Sequence, residues 1–372
     1  MTQALARRLH DVLPAGVPLL AAGTPGLVAL SREACACVLA AMFLCALETQ
    51  EGGGDYPFPS FAPLLASPEP QDAAKLAMYL NYFARLGAPP LAARGTVYVR
   101  RCVADAVGVS GGWGGAEEPV LPMEVLRGGR IEDVPDAAHT DFANECIGGG
   151  ALSGGCVQEE IMFACSPELA ASLLFCAVMR PNEAIVITGA ERFSSYTGYG
   201  RSLRFGGEFV DSRPRLGAAA AARGVDADSF ATCVIAIDAL PTPRGRLRSQ
   251  YSREYIAREL LKAAAGFGGG GPEWPPARGG RIATGKWGCG AFGGEPQLKA
   301  VVQWLAASRA GRPLVFCVFD GFELVGELQA AVAAAVARRA TVGAVFAALM
   351  AYVEGARAEE DSLLAHIRRK FE

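Results

Sequence analysis

The order of apolar and polar positions divides this chain near residue 115. Residues 34–47 are apolar almost throughout and follow Ser31-Arg32-Glu33, a helix start, so they predict a core helix too short to span a bilayer. Residues 71–86 carry Leu76, Tyr79, Leu80, Tyr82, Phe83 and Leu86 mostly on one helical face, with Gly87 and Pro89-Pro90 as the stop. The chain up to about residue 115 therefore reads as helical, and the glycine-rich stretch 111–115 marks a boundary. Beyond it, short β-branched apolar runs at 184–188, 233–237 and 314–319 predict strands covered on both faces. Helices are expected between and beside them at 167–179, 254–265 and 298–309. That alternation implies an α/β/α sandwich. Residues 202–227, and 266–280 around Trp274, show little periodicity and read as surface loops. The alanine-rich stretches 328–338 and 341–353 predict two packed helices, and no internal repeat is present.

Composition narrows the class. At 372 residues the chain exceeds the usual single-domain size, so two domains or one with an appended layer are expected. A net charge of -3 argues against gripping bulk nucleic acid, so a phosphate-bearing polymer would have to be held locally. Eleven cysteines are scattered through apolar segments without any C-x-x-C spacing, which reads as small buried hydrophobes in a reducing compartment. His10, His139 and His366 supply little for a metal site or a Ser-His relay, so no metal is expected; His139 reads as a solvated or core-edge residue. Arg7-Arg8 is followed by Asp11 and Pro14, which interrupt a signal-peptide core, so export is not expected. The basic end Arg368-Arg369-Lys370 reads as a solvated helix end or as a nuclear signal, and the expected location is nuclear, cytoplasmic or both.

The chemistry concentrates in one stretch. Asp141-Phe142-Ala143-Asn144 is followed by Gly148, Gly149 and Gly150 and then by Gln158-Glu159-Glu160. Glycines let backbone N–H groups converge on phosphate oxygens, whereas carboxylates cannot neutralise a phosphate, so acids beside such a loop ask for a chemical reason. Glycosidic bond cleavage supplies one: a diphosphate is held and the adjoining sugar is protonated. A second loop, Gly290-Ala291-Phe292-Gly293-Gly294, also precedes an expected helix, near Pro296. Two loops feeding helix N-termini could clamp one diphosphate, although tight turns of an α/β fold account for either loop alone. Glu159 and Glu160 could likewise do no more than complement a helix dipole in its first turn.

The spacing of three glycines, residues 151–157 and then Gln-Glu-Glu resembles the signature of the poly(ADP-ribose) glycohydrolases. The likeness continues through Ile185-Val186-Ile187-Thr188-Gly189, Tyr196-Thr197-Gly198-Tyr199 and Ala283-Thr284-Gly285-Lys286-Trp287-Gly288-Cys289-Gly290. It covers residues 125–325 well and the N-terminal third more loosely, through 34–47 and Tyr79-Leu80-Asn81-Tyr82-Phe83. The resemblance implies an α/β fold: a three-layer α/β/α macrodomain-like catalytic core with a mixed sheet (residues 116–372) and a mainly helical N-terminal accessory domain (residues 1–115). It implies hydrolysis of the ribose–ribose O-glycosidic bonds of poly(ADP-ribose), releasing ADP-ribose, in polymer catabolism and the DNA damage response. Glu160 then falls in the place of the general acid/base, protonated when substrate binds, Glu159 in that of a ribose contact and Asp141 in that of the residue orienting the site. Ile131 and Glu132 match contacts to the adenine edge, Asn144 and Gln158 contacts to ribose, and Phe142 belongs to the same binding block. Tyr199 matches a ring over the ligand, with Tyr196 nearby, and Phe319 a ring against the base. Gly290, Ala291, Phe292 and Gly293 form the second phosphate loop.

Lys286 stands where the family usually has asparagine, and could put a charge on phosphate or point to solvent. The same resemblance implies no cofactor, and as partners poly(ADP-ribose), ADP-ribose and ADP-ribosylated proteins, with no sequence-specific nucleic acid and no membrane. The competing class is a non-catalytic macrodomain that reads ADP-ribose; retention of both glutamates and Asp141 favours the enzyme, since binding alone does not need acids beside phosphate.

Overall fold

The computed structural model describes residues 1–47, 55–56, 59–86, 95–105, 112–243, 247–271, 280–355 and 362–372. Among them the strands, in chain order, are β1 (Gly26–Ser31), β2 (Thr96–Val103), β3 (Met123–Arg127), β4 (Ala138–Asp141), β5 (Glu183–Thr188), β6 (Ser194–Thr197), β7 (Arg204–Glu208), β8 (Cys233–Ala236), β9 (Ile282–Gly285) and β10 (Leu314–Val318). Eight of them form one sheet in the order β1-β2-β5-β8-β4-β9-β10-β3, while β6 and β7 pair as a separate antiparallel hairpin. From β8 to β3 neighbours run parallel, with Asp141 opposite Ala236 and Gly285 opposite Cys317. From β8 outward to β1 they run antiparallel. The sheet is therefore mixed.

Its two faces are covered by different helices. In β5, Ile185 and Ile187 enter one hydrophobic cluster while Ala184 and Val186 enter the other, the period-two alternation of a strand buried on both sides. The first cluster takes in the helices Arg32–Phe43, Pro70–Leu86 and Gln158–Cys165; the second takes in Arg253–Gly268, Pro296–Arg309, Glu323–Ala337, Val342–Glu354 and Leu363–Phe371. The result is three layers, α/β/α, as the alternation of elements implied. Ser31 caps the Arg32–Phe43 helix by accepting the Ala34 N–H at 3.1 Å.

Several expectations are revised. The region before residue 115 is not wholly helical: it supplies β1 and β2, so the main sheet is built from both sides of that position. β1 escaped notice because it is an edge strand whose exposed positions include Leu27, which blurs its alternation. β2 was hidden by Arg100-Arg101, yet Arg101 is buried by pairing with Glu183 of β5. Residues 202–227 contain β7 and the short helix Gly217–Ala221 rather than loop alone, and the Arg253–Gly268 helix runs into the stretch read as a loop from 266. The expected helix at 167–179 is a 3-10 turn, Pro167–Leu174. Not revised is the basic C-terminal end: Arg368, Arg369 and Lys370 form the exposed last turn of the amphipathic helix Leu363–Phe371, which buries Leu363, Leu364 and Ile367. His139 is buried rather than solvated, donates from Nε2 to the Val134 carbonyl at 2.9 Å, and burial pushes its pKa down to about 4. The stop at Gly87 and Pro89-Pro90, Gly111 of the boundary stretch and Trp274 lie outside the described residues. Among the described residues no helix is long and apolar enough to cross a membrane.

Candidate active site

The parallel half of the sheet ends in a cavity of about 470 Å³, within the range of small-ligand sites, bordered by Phe142 after β4, Gly285 at the end of β9 and Phe319 after β10. Open α/β sheets place ligands in this position, beyond the carboxyl ends of parallel strands.

The Gln158–Cys165 helix delivers three consecutive polar side chains to one wall, and each holds a different piece of the loop that follows β4. Gln158 accepts the Phe142 N–H at 2.9 Å and donates to the Thr140 carbonyl at 3.1 Å. Glu159 accepts the N–H groups of Asn144 at 2.8 Å and Gly148 at 2.7 Å. Glu160 accepts Gly150 N–H at 3.0 Å with one oxygen and Val157 N–H at 2.8 Å with the other. The Val157 bond is the reach-back of a third helical residue to the capping position, so Glu160 does serve the helix start. All three side chains also line the cavity.

The first glycine loop consequently has a different task from the one its composition suggested. Gly148, Gly149 and Gly150 do not line the cavity, and the N–H groups of Gly148 and Gly150 are engaged by the two glutamates rather than free for a phosphate. Bare backbone is needed there for another reason. Gly149 has φ +47°, and a Cβ on it would lie 2.6 Å from Glu159 Oε2 and 2.7 Å from Glu160 Oε1. Across the loop, a Cβ on Gly155 would lie 2.6 Å from the same Glu160 oxygen. Sequence reading missed Gly155, although the Gly154-Gly155 doublet two residues before the helix cap was a visible signal.

Behind the glutamates sits Asp141, fully buried at the end of β4 and not part of the cavity lining. Neither of its carboxyl oxygens has a hydrogen-bond partner among the described residues. Burial first, and then the charge of Glu160, push its pKa well above the usual carboxylate range. Glu159 is raised as well, by burial and by Asp141, against the opposing effect of its two N–H donors. Both carboxyls therefore bind a proton more tightly than an exposed acid would.

The opposite side is aromatic and cationic. Tyr199 and Phe319 stand at the mouth 44% and 50% exposed, with ring centroids 6.1 Å apart, an unusual exposure for large apolar rings. The Tyr199 hydroxyl accepts the Gln158 N–H at 3.1 Å, which ties the ring to the acid-bearing helix. Tyr196 donates to Glu132, and burial and that carboxylate hold its phenol protonated; Arg130 lies 4.8 Å from the Tyr196 ring centre. Ile131 borders the cavity beside Glu132 in the 3-10 turn Ile131–Asp133.

In the second glycine loop Gly290, Ala291 and Phe292 line the cavity, whereas Gly293 does not. The N–H groups of those three lining residues donate to nothing among the described residues, which leaves a row of donors for an anion. Lys286 also borders the cavity, where it pairs with Asp320. It thus resolves toward the mouth of the site rather than away from it. Arg130 and Asp320 were not foreseen; no spacing in the sequence marks them. Among the described residues no group of three or more His, Cys, Asp and Glu side chains could hold a metal ion.

Two family models match successive parts of the chain. The family model described as poly(ADP-ribose) glycohydrolase, Macro domain fold, matches residues 111–325, and that described as poly(ADP-ribose) glycohydrolase, helical domain, matches residues 2–101. Poly(ADP-ribose) glycohydrolase 1 of Arabidopsis thaliana is 32% identical, over 91% of this chain and 71% of that protein. Probable poly(ADP-ribose) glycohydrolase 2 of the same plant is 30% identical, over 92% of this chain and 72% of its own length. Poly(ADP-ribose) glycohydrolase 1 of Caenorhabditis elegans is 34% identical, over 92% of this chain and 42% of that protein.

Proposed function

The chain belongs to the poly(ADP-ribose) glycohydrolase family, and we propose that Glu160 is the general acid/base with which it hydrolyses the ribose–ribose O-glycosidic bonds of poly(ADP-ribose) and releases ADP-ribose. The activity is that of a glycosidase. One observation carries the assignment of Glu160: its carboxyl is buried in the cavity wall and fixed through both oxygens by the N–H groups of Gly150 and Val157.

The terminal ADP-ribose unit lies with its adenine against Phe319 and its edge toward Ile131 and Glu132. Its diphosphate takes the unengaged N–H groups of Gly290, Ala291 and Phe292, with Lys286 exchanging Asp320 for a phosphate oxygen. Glu159 accepts from a ribose hydroxyl. Protonated Glu160 gives its proton to the bridging 2′-oxygen as the bond from that oxygen to the anomeric carbon breaks. The positive charge left on the ribosyl ring is stabilised by the neighbouring diphosphate. The Glu160 carboxylate then takes a proton from water, whose oxygen adds to the anomeric carbon, and the acid is restored. The two N–H groups receive the carboxylate in place, so the side chain serves as acid and base without moving. A single acid/base differs from the commoner plan of two carboxylates across the scissile bond.

Polymer carried on ADP-ribosylated proteins is the substrate form we propose, in the nucleus, the cytoplasm or both and in the response to DNA damage. That all eleven cysteines are free thiols supports a reducing compartment. The test is incubation with labelled, automodified polymer and sizing of the products. Free ADP-ribose is expected from the wild type, and Glu160→Gln should lower turnover by about 100-fold or more while ADP-ribose affinity stays within a few-fold. Weaker binding with an unchanged rate per bound complex would instead make Glu160 structural.

A further inference from the structure

Lys75 lies in the Pro70–Leu86 helix, with no exposed surface, on a segment that contributes nothing to the cavity lining. Its ammonium donates to the Gly150 carbonyl at 3.2 Å and to the carbonyls of Ser153 and Gly155, and pairs with Asp72 Oδ1 at 3.1 Å. Asp72 is itself buried and held by the Ser67 hydroxyl at 2.6 Å. A lysine is seldom buried so completely, and an ammonium has only three N–H groups to spend. Here they go to one tight loop.

Both ends of that loop touch the proposed acid. The Gly150 residue whose carbonyl Lys75 holds also gives its N–H to Glu160 Oε1. Gly155, whose carbonyl Lys75 holds as well, approaches Glu160 so closely that a Cβ there would lie 2.7 Å from the carboxyl carbon. A continuous line of contacts therefore runs from Asp72 through Lys75 and the 150–155 backbone to the Glu160 carboxyl. Without the ammonium, three carbonyls would lose a donor and the loop its fixed distance from the acid.

We infer that Lys75 is a positioning residue for the hydrolysis: a charged clamp from the N-terminal helical region that sets the place of Glu160 without touching substrate. The inference rests on the reading of Glu160 as the acid. It gives the N-terminal region a share in turnover distinct from its share in the core.

Removing Lys75 alone would strand the buried Asp72 charge and confuse a clamp with a folding defect. Removing both partners of a buried pair is far less damaging than removing one. The test therefore uses Asp72→Asn/Lys75→Met in the full chain, with Lys75→Arg as the conservative variant. Measured are the melting temperature, ADP-ribose affinity by calorimetry, kcat and KM on labelled polymer, and amide exchange across residues 148–157. The expected result is a folded double variant with affinity within about three-fold of wild type, kcat lowered at least ten-fold, and faster exchange confined to 148–157. Lys75→Arg should recover part of kcat. Unchanged kcat with unchanged exchange in the folded double variant would overturn the inference, as would a parallel loss of kcat, affinity and protection over the whole chain. Should the wild type itself release no ADP-ribose, the glycohydrolase reading falls, while the exchange comparison still decides whether Lys75 holds the loop.

Discussion

At the scale of single residues, the site is governed by close approach between carboxylates and bare backbone. Gly149 is the sharpest case, because a methyl group there would meet both glutamates at once and the residue sits at positive φ. Gly149→Ala is expected to cut turnover by at least about 100-fold, since a misplacement of the acid by 1 Å costs that much. Kinetics on labelled polymer beside a thermal melt would check it. Asp141 gives a prediction in pH. Its folded carboxyl binds a proton more tightly than the unfolded one, so folding stability is greatest below the ordinary carboxylate range and declines as pH rises from there toward the raised value. Asp141→Asn should flatten that decline and raise stability at neutral pH. Denaturant midpoints measured across the acid-to-neutral range would decide, and an unchanged slope would show that Asp141 does not titrate as its burial requires. The glutamates were legible in the sequence because acids beside a glycine loop are conspicuous, whereas Tyr199 and Phe319 were singled out only by the resemblance to the glycohydrolases. Lys75 was not, since one lysine in an amphipathic helix looks like any solvated charge.

At the scale of elements, the start of the Gln158–Cys165 helix does more than present acids. Its first three side chains bind backbone at Phe142, Thr140, Asn144, Gly148 and Gly150, so the helix pins the loop that leaves β4. Gln158→Ala is expected to destabilise the fold by about 1–3 kcal/mol, the usual cost of leaving buried polar groups unmet, and to raise KM more than it lowers kcat. A denaturant melt with steady-state kinetics tests both halves. The strands legible beforehand were β5, β8 and β10, whose residues are buried on both faces and hence read as unbroken apolar runs. β9 is short and ends in glycine, and β2 carries two arginines, of which Arg101 owes its burial to Glu183, far along the chain. Local pattern cannot register a distant counter-ion. The same limit applied to the first glycine loop, whose composition suited a phosphate equally well.

At the scale of the whole molecule, the N-terminal region and the rest share one sheet and the loop that adjoins Glu160. β2 pairs with β5 along six residue pairs from Tyr98 with Thr188 to Val103 with Glu183, and Lys75 reaches across to residues 150–155. A fragment of residues 112–372 would leave β5 an open apolar edge and Glu183 without Arg101, so it is expected to aggregate or to show negligible turnover. Soluble expression of that fragment with wild-type kcat would refute the dependence. The three-layer plan was readable from the alternation of elements; the way the first region is woven into the sheet was not, because strand order is a property of pairing rather than of any single segment.

The double engagement of Gln158, Glu159 and Glu160 has a bearing on how relatives of this chain should be judged. These side chains fasten backbone whatever chemistry they carry, so a lineage that abandoned the reaction would still be penalised for discarding them. Their persistence in a descendant is weak testimony that it still cuts polymer. The segment Gly290 to Phe292, whose N–H groups donate to nothing among the described residues, would be the first to drift once ligand no longer mattered.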